Sequence, residues 1–367
     1  MTPFKKLSLW LLALLLAAAT GCGGGPSSAP SSPGSGSSHL IYTSLPSGNT
    51  IYGFRVDNSS GNFTGVVGSP FPAGNSPGAM LIGPSGQVLY VVNRIENTIS
   101  LFRIDRTVGS LTEMLPRVVT GVTPMALTMN SDGSLLFVLN QLSGSISVFT
   151  VAADTGALTQ IAGSPFPTAP NPVGFAITSS GKFLYVVNSN LELVFAYSIS
   201  SGGRLQPIGN PTPVGVGPFA IATDPAGKFV YVANSVDDTI SILAMNSSTG
   251  ALTEVIGSPF DAGTSPISIA VSPTGQYIYI ANQGTNDITA YSIDSTTGFP
   301  TSIIGEPFGS TGVSLLVTDP DGRFLYVLSQ RSNFISEFSL DPATGILTST
   351  SLSPTTITVP VGLAVSR

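Results

Sequence analysis

In 367 residues the chain holds one cysteine, one histidine and one tryptophan. The single cysteine, Cys22, excludes an intrachain disulfide, so the fold must rest on packing and strand pairing. With His39 as the one histidine, the usual zinc ligand sets cannot be assembled, and no metal or other cofactor is expected. Charge is scarce as well. Asp, Glu, Lys and Arg make up 9% of residues, against about 25% in an average soluble domain. Ser, Thr, Asn and Gly must therefore cover much of the surface, which suits a secreted or wall-exposed protein. No cluster of Lys and Arg occurs, which excludes nucleic acid as a partner, since phosphate contacts need a basic patch. Helical 3.6-residue periodicity is missing beyond the first 22 residues.

Those 22 residues read as a targeting segment. Lys5 and Lys6 precede the apolar run Leu7 to Ala19, which is shorter than the roughly 20 apolar residues of a spanning helix. Ala19-Thr20-Gly21-Cys22 resembles a bacterial lipoprotein cleavage box, which implies lipid on Cys22 and a membrane anchor in the cell envelope. Residues 23–38 are rich in Gly, Ser and Pro and read as a tether, spanning about 20–25 Å. Loss of the two lysines would leave eleven basic residues against nineteen acidic ones, a formal net charge of −8.

From residue 39 to the end the chain repeats itself. An aromatic inside a short apolar run recurs at Tyr42, Tyr90, Phe137, Tyr185, Tyr231, Tyr279 and Tyr326. Each copy carries four strand-like segments, A to D, rich in Val, Ile, Thr, Tyr and Phe. Glycine marks the A–B turn (86, 133, 181, 227, 275, 322) and the C–D turn (61, 156, 250, 298, 345), where a positive φ is expected. Gly-Ser-Pro-Phe runs link successive copies, with the Phe expected between neighbouring units. The repeated Asn after strand B (93, 140, 188, 234, 282) reads as a turn-former. Four strands per copy and seven copies predict an all-β, seven-bladed propeller of four-stranded antiparallel blades. The C-terminal run Pro360–Ser366 matches a strand A, and the body begins with a strand B. One blade should therefore be completed by both chain ends.

The strand B runs, such as Leu89-Tyr90-Val91-Val92-Asn93 and Val230-Tyr231-Val232-Ala233-Asn234, resemble the Tyr-Val-Thr-Asn propeller repeat. Over nearly the whole mature chain the protein is similar to seven-bladed lactonase-type propellers, a family with 6-phosphogluconolactonase-like and cycloisomerase-like enzymes. The resemblance implies a histidine beside the proline that opens strand A in enzymatic members. Here those starts read Ser76-Pro77-Gly78, Thr123-Pro124-Met125, Asn171-Pro172-Val173, Gly217-Pro218-Phe219 and Ser265-Pro266-Ile267, with Gly312-Val313-Ser314 and Val359-Pro360-Val361. Six of the seven keep the proline, and none has the histidine. Lactone opening needs a base or a metal-bound water, and these positions offer neither. No catalytic residue is assigned, and His39 reads as a solvated residue at the tether junction.

The few charges gather in loops of one face. Arg94, Glu96, Glu192, Asp237, Asp238, Asp287 and Arg331 are placed in B–C loops, and Arg117, with Asp261, in D–A segments. They are candidate ligand contacts, with solubility of an exposed rim as the competing explanation. The expected function is a monomeric, non-catalytic binding or protein-interaction module of the cell envelope, with a protein or glycan partner. The alternative is a divergent lactonase or cycloisomerase that hydrolyses a sugar lactone.

Overall fold

Seven antiparallel sheets succeed one another, one for each copy of the repeat. Their innermost strands touch in a closed cycle, each against the next and the last against the first. This is the seven-bladed propeller the repeat predicts. The computed structural model describes residues 38–57, 61–352 and 357–366. The targeting segment, Cys22 and the tether up to residue 37 lie outside the described residues; Ser38 already belongs to a strand.

Within a blade the strands run A to D from the channel outward. Blade 6 is representative: A is Pro266–Val271, B Tyr277–Asn282, C Asp287–Ile293 and D Pro300–Ser302. Strand B shows no apolar–polar alternation because it has no wet face. In blades 2 to 7 all six of its residues are buried. It lies between A and C in its own sheet and between the two neighbouring blades across its faces.

Five blades carry a second, two-residue piece of strand D, also paired with strand C. The Gly-Ser-Pro-Phe run bulges between the two pieces. The strand C amide it leaves unpaired donates to the serine hydroxyl: Gly53 to Ser69 at 2.9 Å, Val148 to Ser164 at 2.8 Å and Ile242 to Ser258 at 3.0 Å. In the variant run, Glu306 Oε2 takes that place for the Ala290 amide. The phenylalanine then turns inward. Phe71 and Phe166 are buried in clusters that join adjacent blades.

The anchor tyrosines tie blade to blade. Tyr42, Tyr90, Tyr185 and Tyr279 donate to the C–D turn carbonyls of Gly109, Gly156, Gly250 and Gly345 in the following blade, at 2.6–2.9 Å. Gly156 shows why the turn residue is glycine. Its φ is +73°, and a Cβ there would lie 2.7 Å from the Tyr90 hydroxyl.

Blade 1 is closed by both chain ends. Its strand B is Ser38–Leu45 and its strand A is Gly362–Val365, with Ile41 opposite Val365 and Ser44 opposite Gly362. Leu363 and Ala364 are buried there, in the clusters facing blades 7 and 2 respectively.

Candidate functional site

The channel through the ring opens on the face of the B–C and D–A turns. A cavity of about 680 Å³ lies at this mouth. Its wall is the set of strands A, contributing Met125, Val173, Phe175, Phe219, Ile221, Ile267, Ile269, Leu315 and Leu363. Phe219 is 45% exposed, with its ring on the cavity wall. Polar groups gather at the lip, where Arg94, Ser235, Gln283 and Gln330 share one place in the repeat, the first residue after strand B.

Of the nine charged candidate residues, the structure brings one to the channel: Arg94. Blade 2 makes room for it. Its strand A, Pro77–Ile82, continues after the proline with Gly78, where other blades carry Met125, Val173, Phe219 or Ile267. A Cβ at Gly78 would lie 3.1 Å from Arg94 Cδ, so the arginine stem occupies the space of the missing side chain. The three ion pairs among the described residues belong to Arg117 and Arg323, and none involves Arg94. Among the described residues it is the one charged residue that lines this cavity.

The other candidates lie outside the cavity lining, and most of them bond to neighbouring groups. Arg117 lies within strand D of blade 2, Leu111–Val119, rather than in a D–A segment. It bridges Glu113 at 2.7 Å and Glu96 at 3.0 Å. Glu96 also accepts the Asn75 amide at 2.9 Å. That amide and the arginine hold its carboxyl below the usual range, and the hydrogen bond to Glu113 raises Arg117. Asp287 is the first residue of strand C, not a loop residue; it accepts from Asn282 Nδ2 at 2.8 Å. Asp237 accepts the Val216 amide and Asp238 the Ser265 amide, at 2.6 and 2.7 Å. Glu192 stands in its B–C turn with φ +58° and, like Asp237 and Asp238, does not line the cavity. Arg331 is exposed in its turn, 3.5 Å from Gln283 Oε1.

Two further readings change. The repeated asparagines end strand B rather than form the turn. Asn93, Asn140, Asn188, Asn234 and Asn282 are fully buried, and all except Asn188 donate through Nδ2 to strand C side chains such as Ser100 and Thr289. His39 is not solvated. It is 5% exposed, inside strand B of blade 1, with its Nε2 against the Tyr326 hydroxyl. That hydroxyl donates to the fully buried Glu337 at 2.8 Å.

The family model described as "Lactonase, 7-bladed beta-propeller" matches residues 38–175, 166–264 and 255–365. The chain belongs to this family. No curated protein matches it. Among solved structures it is similar to a candidate 6-phosphogluconolactonase of Bacteroides fragilis, at 23% identity over 92% of this chain and 100% of that one, with a TM-score of 0.76. A candidate 6-phosphogluconolactonase of Bacteroides uniformis follows at 19% identity, 89% and 99% coverage and a TM-score of 0.76. The periplasmic gluconolactonase of Pseudomonas aeruginosa gives 20%, 90%, 99% and 0.71 in the same order. At these identities the likeness shows the shared fold.

Within this lactonase-family propeller the residue types at the mouth limit the chemistry. Among the described residues no Asp, Glu or His lines the cavity. What its walls supply is one cation, amide groups and a large apolar surface. Sequence reasoning found Arg94 by its charge. It missed Ser235, Gln283 and Gln330, although their common place one residue after strand B was a usable signal.

Proposed function

We propose that this chain is an exported lipoprotein whose propeller binds a small ligand at the channel mouth and does not turn it over. One observation carries the reading: a cavity of about 680 Å³, within the usual range of ligand sites, presents among the described residues a lone arginine and no Asp, Glu or His. The lipid anchor at Cys22 rests on the Ala19-Thr20-Gly21-Cys22 box and the Gly/Ser/Pro tether. A monomer bound to the envelope through that lipid, open to a protein or glycan partner, fits the same composition.

A second reading has specific support. Membership of the lactonase family, and solved relatives named for 6-phosphogluconolactone and gluconolactone chemistry, favour hydrolysis of a sugar lactone. The channel residues favour the first reading and the comparisons favour the second. Proton release from 6-phosphogluconolactone and gluconolactone by the purified chain separates them. No acceleration over the uncatalysed rate is expected. Turnover that falls about 100-fold in Arg94→Ala would replace binding with catalysis. Incorporation of labelled palmitate into the parent chain, absent in Cys22→Ser, tests the anchor; an unlabelled parent overturns it.

A further inference from the structure

The proposed ligand site has a composition that selects among ligands, and this inference rests on that reading. Three of the four serine hydroxyls around the mouth already make a hydrogen bond within the fold. Ser235 donates to the Gly217 carbonyl at 2.8 Å, Ser314 to the Leu328 carbonyl at 2.7 Å, and Ser268 accepts the Leu316 amide at 3.1 Å. A polyol ligand needs a partner for most of its hydroxyls, because a buried polar group left unpaired costs binding free energy. Gln283, Gln330, the Ser265 hydroxyl and the donor left on Ser268 would have to meet that demand.

The wall asks for something else. Val173, Phe219, Ile221, Ile267, Ile269 and Leu315 form an apolar sleeve below the lip. The opposite end of the ring has its own cavity of about 320 Å³, where Leu81, Ile82, Met129 and Val365 again give apolar lining. A six-residue strand A spans about 20 Å, room for an extended acyl chain. At the lip stands Arg94, without an ion pair among the described residues, and Arg331 lies behind Gln283. Among the described residues no carboxylate competes for Arg94 within the cavity. A guanidinium matches a carboxylate in two parallel hydrogen bonds.

We infer that the channel takes a medium-chain carboxylate, its acyl tail along the strand A sleeve and its head on Arg94. Charge decides the head and apolar area decides the tail. Each methylene that enters the sleeve should tighten binding about fourfold, the yield of burying one such group.

Calorimetry on the full chain carrying Cys22→Ser, which keeps covalent acyl groups off the sample, tests this with butyrate, octanoate, decanoate, decylammonium and gluconate. Decanoate should bind one to one and at least 100-fold tighter than butyrate, with octanoate between. Decylammonium should not bind. Arg94→Gln should weaken decanoate at least tenfold, and Ile267→Asn should weaken decanoate while leaving butyrate unchanged. Gluconate that binds in an Arg94-dependent way, with no gain along the acyl series, overturns the inference and leaves the channel-mouth reading standing. Loss of all Arg94-dependent binding overturns both. Chain-length dependence that ignores Arg94 and never saturates marks nonspecific partition and overturns the inference.

Discussion

The interface between blades 6 and 7 and the one between blades 7 and 1 start from the same residue type and solve the same problem differently. In the first, Tyr279 reaches across to the Gly345 carbonyl of the next blade. In the second, Tyr326 donates to Glu337 on strand C of its own blade, Phe334–Leu340, while His39 of blade 1 approaches the same hydroxyl from across the seam. The strand C position opposite the anchor aromatic is Gly53, Leu101, Val148, Ala196, Ile242 or Ala290 elsewhere, and Glu337 here alone. The ordinary interface joins a side chain to a turn fixed by its neighbours. The closing interface joins three side chains around a buried carboxylate, which must keep its donors to remain tolerable in the core. Thr350 Oγ1 supplies the second of them at 2.7 Å.

Opening the ring should give the largest effect. Deletion of residues 361–367 removes the strand A of blade 1 and uncovers Ile41 and Tyr42, both fully buried. The melting temperature should fall by about 10 °C or more in calorimetry. An unchanged transition would mean that the seam contributes no more than any rim strand.

Alkaline pH should weaken all the tyrosine interfaces together. Burial pushes Tyr90 up to about 12, and Tyr42, Tyr185, Tyr231 and Tyr279 are raised by the same cause. Tyr326 is raised by burial and then by the charge of Glu337. The folded chain therefore keeps protons that the unfolded chain releases near pH 10. The stability these hydroxyls give is complete below about pH 10 and is lost as pH rises beyond it, at about 1.4 kcal/mol per pH unit for each group. Denaturant unfolding between pH 9 and 11.5 checks this, and each Tyr→Phe change should make the fall shallower.

The repeat made the ordinary interfaces legible and hid the exceptional one. Seven aromatics at one spacing, with glycine in both turns, determine blade number, strand order and the closing strand. Those features act through backbone geometry, which the repeat states many times over. Glu337 and His39 occur once each, and a single residue does not reveal which chain-distant partner it will meet. The rim charges misled for a related reason. Asp237 and Asp238 have the composition of a binding site, but backbone amides of Val216 and Ser265 claim them. Arg94 could be picked out because its charge is rare. Its entry to the channel also depends on Gly78, sixteen residues earlier and facing it only after strands A and B pair.

Single hydroxyls give a finer measure of the same contrast. Tyr326→Phe deprives the fully buried Glu337 of a donor and should cost about 2–3 kcal/mol, the scale of a hydrogen bond to a charged group. Tyr279→Phe loses a neutral bond and should cost about 1 kcal/mol. Tyr231 is the internal control. Its buried hydroxyl has no partner among the described residues, so Tyr231→Phe should be neutral or stabilising. Equal losses at 326 and 279 in urea unfolding would erase the distinction between the two interfaces.

The smallest expected effect concerns a latch that most interfaces share. The residue before strand C has positive φ, and its side chain accepts a backbone amide of the next D–A turn. Asn49 takes Ser76, Asn97 takes Thr123, Asp238 takes Ser265, Asn286 takes Gly312 and Asn333 takes Val359, at 2.7–3.0 Å. The closing seam keeps this latch through Asn333, so its departure is confined to the buried tyrosine layer. Blade 3 places Gly144 at the position instead, with the backbone shape and without the acceptor. Asn286→Gly should therefore leave the backbone in place and cost about 0.5–1 kcal/mol. Gly144→Asn should return a similar amount or less, since the new acceptor faces the Asn171 amide but its Cβ would lie 3.3 Å from Pro170 Cα. A gain at 144 paired with a loss at 286 would show that the latch is a modular contribution, separable from the tyrosine layer. A loss at both would mean that the blade 3 turn is tuned to glycine and that the interfaces differ at the rim as well as in the core.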